Sequence, residues 1–150
     1  MPAGLVRSCR PDEQHRGLDM TDTAALRALL IVIEQYFEMM FDSDVARFDH
    51  VFAPTAQLHG LRDEELRILT AADYRDLLAT NPSPKSKGAP RQQEILLVDF
   101  ASPSQAVVKV RVRIEAIVYV DHLCFHLIDG KWLVTAKSFH VEHRFEGTTV

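Results

Sequence analysis

Seven histidines, three tyrosines and an aspartate beside an apolar run are the residues of this chain whose types suit moving a proton. His122, Cys124 and His126 recur at every second position, so on a strand they share one face, which Ile128 joins. Tyr36, Tyr119, His122, His126 and His140 form a set of types that could move a proton. In that chemistry a histidine shuttles the proton while Tyr36 or Asp121 holds an oxyanion. The same histidines could equally be core or interface side chains with satisfied ring nitrogens. Asp121 directly follows Ile117–Val120. It is either an acid inside a pocket with a raised pKa, or a carboxylate bonded to backbone or Lys137 where a long strand bends.

Other chemistries find less support. Four residues of strand separate His122 from His126 by roughly 13 Å at about 3.3 Å per residue, too far to share a metal. His140 and His143 alternate across a strand, so no metal site is expected unless Cys124 joins one histidine. His59 lies opposite Ala56 and Leu58 and reads as a surface histidine. Lys109, Arg111 and Arg113 form a charged row that is either solvated or an anion-binding face. No Gly-rich phosphate loop, nucleophile elbow or Cys-x-x-Cys pair occurs, and the few serines lie in turns apart from Ser138.

The elements that must position these residues follow from periodicity. Leu26, Leu29, Leu30, Ile33, Phe37, Met40 and Phe41 recur at spacings of three and four, predicting a helix over 24–41. Ile31, Val32, Tyr36 and Met39 occupy the remaining face, so this helix is expected to be nearly enclosed. A short helix over 44–52, ended by Pro54, and a short strand over 56–61 follow. A polar turn over 62–65 leads to Leu66–Leu69, and Thr70 caps a helix through Leu78 with Asp73 in its first turn. Residues 81–91, with three prolines and several basic residues, read as a mobile loop. Long β-patterned runs then cover 92–100, 105–120, 122–128 and 131–141, with Asp129-Gly130 as a tight hairpin turn. Val108, Val110, Val112 and Ile114 face one way, and Lys109, Arg111, Arg113 and Glu115 the other. Helices first and antiparallel strands last make an α+β plan.

The 150 residues suit one domain with a core of its own: 1–20 a disordered leader, 21–145 the domain, 146–150 a tail. Met20, just before the capping residues Thr21, Asp22 and Thr23, reads as the true start of translation, which the intact mass of the native protein tests. A net charge of −4 offers no general attraction to nucleic acid or anionic membrane. No apolar run reaches the roughly 18 residues a spanning helix needs, and with Arg7 and Arg10 followed by no continuous apolar stretch a secretory signal is not expected. Cys9 and Cys124 sit in unlike settings and do not read as a disulfide, so a reduced, cytoplasmic protein is expected.

The order of elements resembles the nuclear transport factor 2-like superfamily, and the last strands resemble its lumazine-binding, polyketide-cyclase-like branch. The residues that carry this are Asp121, Leu123, Phe125, Asp129-Gly130, Lys131-Trp132 and Lys137, with Phe52-Ala53-Pro54-Thr55-Ala56 as the entry into the first strand. The resemblance spans about 24–143. It implies a cystatin-like roll, a strongly curved, cone-shaped mixed or antiparallel sheet packed on an N-terminal helix. It also implies that the outer sheet face is a homodimer contact, where Glu115 could meet Arg111 or Arg113 of a second copy. A ketosteroid-isomerase-like site would need a base near Gly60, which has no side chain.

The expected function is binding of a small, partly hydrophobic organic molecule in an apolar pocket, without a cofactor. Ile33, Phe37, Leu58, Val112 and Trp132 would line it, and Tyr36, Asp121, His122 and His140 would orient the ligand. Any catalysis would be that of a cofactor-independent dehydratase or isomerase. The alternative is a non-catalytic dimerisation or protein-interaction module on the same fold. An enclosed cavity with converging titratable groups favours the first, and a plugged cone the second.

Overall fold

The first helix, α1 (Met20–Asp42), forms where the apolar spacing predicts it. Leu29, Ile33, Tyr36, Phe37 and Met40 on its inner stripe are buried, and this stripe lies across β4 (Gln105–Ile114) and β6 (Lys131–Arg144). The helix is not enclosed, however. Leu30 and Ile31 are 38% and 58% exposed, because the sheet covers only one side of it. The computed structural model describes residues 20–146. Most of the expected leader and tail, together with Cys9, therefore lies outside the described residues.

A 3-10 turn (Val45–Arg47) capped by Asp44 runs into a short α2 (Phe48–Val51). Thr70 and Asp73 close a reciprocal capping box that starts α3 (Ala71–Thr80). Two further strands, β1 (Phe52–Arg62) and β2 (Glu65–Thr70), make a hairpin between these helices. β3 (Gln93–Ser102) and β5 (Ile117–Ile128) complete one six-stranded sheet in the order β2-β1-β6-β5-β4-β3. β1 and β6 are parallel neighbours and every other pairing is antiparallel, so the sheet is mixed. Register shifts in three of the ladders bend it into the curved α+β roll.

Three local expectations change. The run 105–120 is not one strand, because the chain reverses at Glu115-Ala116 and β5 starts at Ile117. Glu115 takes a positive φ of 56° there, unusual for a side chain of its kind. Its carboxylate is held by Lys87 and its carbonyl accepts from Arg113 Nε, contacts that a search for turn residues does not register. The strand expected over 56–61 begins at Phe52, with Pro54 inside it. The basic loop is tied down rather than free: Lys85 N–H donates to the Phe41 carbonyl, and Pro84 is buried. Asp129 and Gly130, by contrast, have φ of 50° and 77°, the paired positive values of the expected hairpin turn.

The most consequential departure is in β6. Cys124 pairs with Ala136 and Phe125 with Val134, leaving Thr135 as an extra residue. Before this bulge Trp132 and Val134 point inward, and after it Lys137 and Phe139 do. A one-residue slip exchanges the two faces of everything downstream. His140 is thereby turned outward and exposed, and Lys137 is turned in and buried.

Candidate functional site

Four side chains from four elements meet inside the roll. Tyr36 comes from the buried stripe of α1, Tyr74 from the first half of α3, Asp121 from β5 and Lys137 from the post-bulge part of β6. Asp121 and Phe139 are register partners, so Asp121 and Lys137 lie on the same inner face as diagonal neighbours. The Tyr36 hydroxyl donates to Asp121 Oδ2 at 2.5 Å. Lys137 Nζ stands 3.5 Å from the same oxygen and donates to the Tyr74 hydroxyl at 3.3 Å. That hydroxyl in turn donates to Met40 Sδ at 3.2 Å. The ammonium also lies 5.2 Å from the Tyr36 ring centroid and 4.8 Å from that of Tyr74, within reach of their π faces.

The electrostatics of this cluster favour an ion pair flanked by neutral phenols. Burial, then the nearby Asp121 charge, pushes Tyr36 well above the ordinary phenol value. Burial also raises Tyr74, against the opposing pull of Lys137. For Lys137 burial acts downward, but the Asp121 charge and the Tyr74 hydroxyl outweigh it and hold the amine above its usual value. Lys137 is thus an ammonium, with two of its three N–H donors used. Asp121 Oδ1 is buried and has no hydrogen-bond partner. An orphaned buried acceptor costs about 1–3 kcal/mol until a donor reaches it.

A cavity of about 420 Å³ opens beside this cluster. Asp121, Lys137, Tyr74 and Met40 contribute to its wall, joined by Leu58, Tyr119 and Phe139. Its outer part is bounded by Arg62, Arg67, Glu115 and residues of the 81–84 segment. In the other half of the roll a second cavity, of about 470 Å³, lies between Ala25 and Leu26 of α1 and the 98–103 segment. Ile33, Phe37, Val112 and Trp132, expected to line a pocket, are buried in the core and line neither cavity, and the Phe100 ring meets Trp132 edge-on at 5.9 Å. Phe48, Phe52 and Tyr74 pack as a ring cluster beneath the cavity, Phe48 stacked on Phe52 at 4.9 Å. Among the expected lining residues, Leu58 reaches the cavity.

Of the four polar residues expected to orient a ligand, Tyr36 and Asp121 come together and His122 and His140 do not. His122 is exposed on the outer face, opposite Ser138 and Lys109, because alternation sends it away from Asp121. His140 is outside for the bulge already described. His126, also on the outer face, shares a short 2.6 Å contact between Nδ1 and Thr135 Oγ1 at that bulge. Gly60 faces inward with the Phe139 ring packed where its side chain would be, so an isomerase-type base is absent from that position. Sequence reasoning does not single out Lys137 or Tyr74 as ligand-facing residues. Lys137 carries one legible sign, a lone cation in the apolar stretch 132–139. Tyr74 has none, being a single aromatic on a polar helix. No group of histidine, cysteine or acidic side chains suited to a metal occurs among the described residues. Within the outer charged row Arg111 pairs with Glu94 and Glu142, and Glu115 with Lys87.

The roll has the nuclear transport factor 2-like fold. A nuclear transport factor 2-like protein of unknown function from Silicibacter pomeroyi DSS-3 superposes with a TM-score of 0.70 at 19% identity, over 82% of this chain and 100% of that one. One from Shewanella baltica OS155 gives 0.70 at 20% identity, over 83% and 98%. A cystatin-like fold protein from Burkholderia xenovorans LB400 gives 0.62 at 14%, over 83% and 97%. These likenesses show the fold. The chain belongs to the family described as "Putative lumazine-binding", whose pattern matches residues 24–140. No curated protein matches the sequence.

Proposed function

We propose that this protein binds a small, partly hydrophobic organic molecule in the cavity between α3 and the β1–β6–β5 face. The observation that carries this is the orphaned Oδ1 of Asp121 on a residue of the cavity wall, next to a Lys137 ammonium with one N–H to spare. A buried acceptor beside a buried donor is complementary to a ligand edge that offers a donor beside an acceptor, such as a cyclic amide, an imide or an enolised ketone. The volume lies in the range of small-molecule sites. The family description, which speaks of lumazine binding, is in keeping with a heterocycle of that kind.

Titration of the full chain with lumazine, cyclic ketones and phenols, followed by NMR, tests the proposal. Amide and phenol compounds should shift resonances of Tyr74, Tyr119 and Leu58, and Asp121→Asn should weaken them about tenfold or more. Failure of every compound to bind at millimolar concentration would exclude this reading, as would binding indifferent to Asp121→Asn.

Proton-transfer chemistry of the lyase or isomerase kind is the finer reading. The Lys137 ammonium, with an N–H to spare, supports it, since it can hold an enolate oxygen while Asp121 takes the proton. Solvent deuterium exchange into a bound ketone, catalysed by wild type and not by Asp121→Asn, is its signature. The competing reading is self-association without catalysis. Exposed Leu61, Leu66 and Ile68 on the outer face of the β1–β2 hairpin favour it, and sedimentation at several concentrations measures it.

A further inference from the structure

We infer that the ligand of this cavity is an organic anion, whose carboxylate is met at the mouth by Arg62 and Arg67. The inference rests on the reading above that the cavity takes a small molecule. It adds the charge of that molecule and the residues that read it.

Alternation along β1 buries Ala56, Leu58 and Gly60 on the inner face, and the same parity carries Arg62 to the cavity rim. On β2 the inner face is that of Arg67 and Leu69, both of which line the cavity. In the hairpin Arg62 stands opposite Glu65 and Gly60 opposite Arg67. The two arginines are therefore diagonal neighbours on one face, within reach of one another's guanidinium groups. Like charges so placed repel unless an anion lies between them.

Three acids, Asp63, Glu64 and Glu65, lie in the hairpin between them, and Glu65 shares their face opposite Arg62. Two carboxylates line the cavity, and a lysine already matches each one: Lys137 for Asp121, and Lys87 at 3.2 Å for Glu115. Asp63, next to Arg62 in the chain, pairs with Arg144 at 3.6 Å. Arg67 has an exposed contact of 3.4 Å with Glu65, a kind of pair that holds weakly. Arg62 has no hydrogen-bond or ion-pair partner among the described residues. The cavity lining itself carries three cations, Arg62, Arg67 and Lys137, against two carboxylates, Asp121 and Glu115, on a protein whose net charge is −4. A guanidinium fork fits a carboxylate with two parallel N–H donors, so a carboxylate is the group this pair suits best. Its apolar body would lie along Leu58, Leu69 and Phe139, and its far end would reach Asp121.

The probes are 4-hydroxyphenylacetate and its methyl ester, the same molecule with and without the charge. Calorimetry on the full chain should show the acid binding about tenfold more tightly than the ester at low salt. Added salt should narrow the difference. Arg62→Gln and Arg67→Gln should each remove most of it and leave the ester unaffected. Both arginines are exposed, so these substitutions spare the core, which circular dichroism verifies. Equal affinity for acid and ester overturns the inference, as does an acid preference that survives the double substitution. Should both probes bind equally and weaken in Asp121→Asn, the anion inference fails while the cavity reading stands. Should neither bind at millimolar concentration, the anion inference falls, and the cavity reading is decided by the titration with lumazine and cyclic ketones.

Discussion

Lys137 Nζ lies 3.5 Å from Asp121 Oδ2, and the two side chains, 6% and 2% exposed, are the charged groups buried inside the described fold. Such a pair rarely adds net stability, because desolvating both charges costs about as much as their attraction returns. Both residues also line the cavity, so the pair sets a donor and an acceptor on its wall.

Breaking the pair from one side should therefore be costly and removing it whole should not. Lys137→Met leaves a carboxylate uncompensated and is expected to lose about 3–5 kcal/mol of unfolding free energy. The double variant Lys137→Met with Asp121→Leu should recover most of that loss. Urea denaturation measures both, and a double variant no more stable than the single one would show that the pair is structural after all.

Stability should fall in alkali. Lys137, Tyr36 and Tyr74 all titrate above their ordinary values in the folded state. Between the unfolded and folded values the native state holds protons that the unfolded chain has released. The contribution of each group is thus complete below about pH 10 and is lost as pH rises through its folded value. Across that interval each group removes about 1.4 kcal/mol for every unit rise in pH. Denaturation midpoints measured from pH 8 upward should decline beyond about pH 10, less steeply in Tyr36→Phe. A profile flat through that range would contradict the buried cluster.

Gly60 is needed for space rather than for backbone freedom. A Cβ there would overlap the Phe139 ring. Gly60→Ala should cost about 1–3 kcal/mol through overpacking. Phe139→Leu in the same chain should restore part of it, giving a favourable coupling in a double-mutant cycle.

The outer histidines should be dispensable for the cavity. His122→Ala and His140→Ala alter exposed positions and should each change stability by no more than about 0.5 kcal/mol. They should also leave ligand affinity at the wild-type value. A tenfold loss in either variant would place the binding site on the opposite face of the sheet.

What can be read from the chain alone is what depends on near neighbours. The 3.6-residue stripe of α1, the Thr70–Asp73 cap, the Asp129-Gly130 turn and the alternation of β4 are each set by residues within a few positions, so a window of sequence contains their cause. Asp121 is legible as an acid after an apolar run, and Tyr36 as a hydroxyl on a buried helix. Their direct bond spans 85 residues and has no local mark. Only the tertiary structure decides which way β6 faces. Thr135 is an ordinary strand residue by type, and its bulge exists because β5 and β6 must bend together around the core. That one extra residue sends His140 to solvent and Lys137 to Asp121. The Glu115 reversal, stabilised by Lys87 from a distant loop, is hidden for the same reason. Local chemistry chose the elements, and the curvature of the closed sheet chose which of their faces would meet.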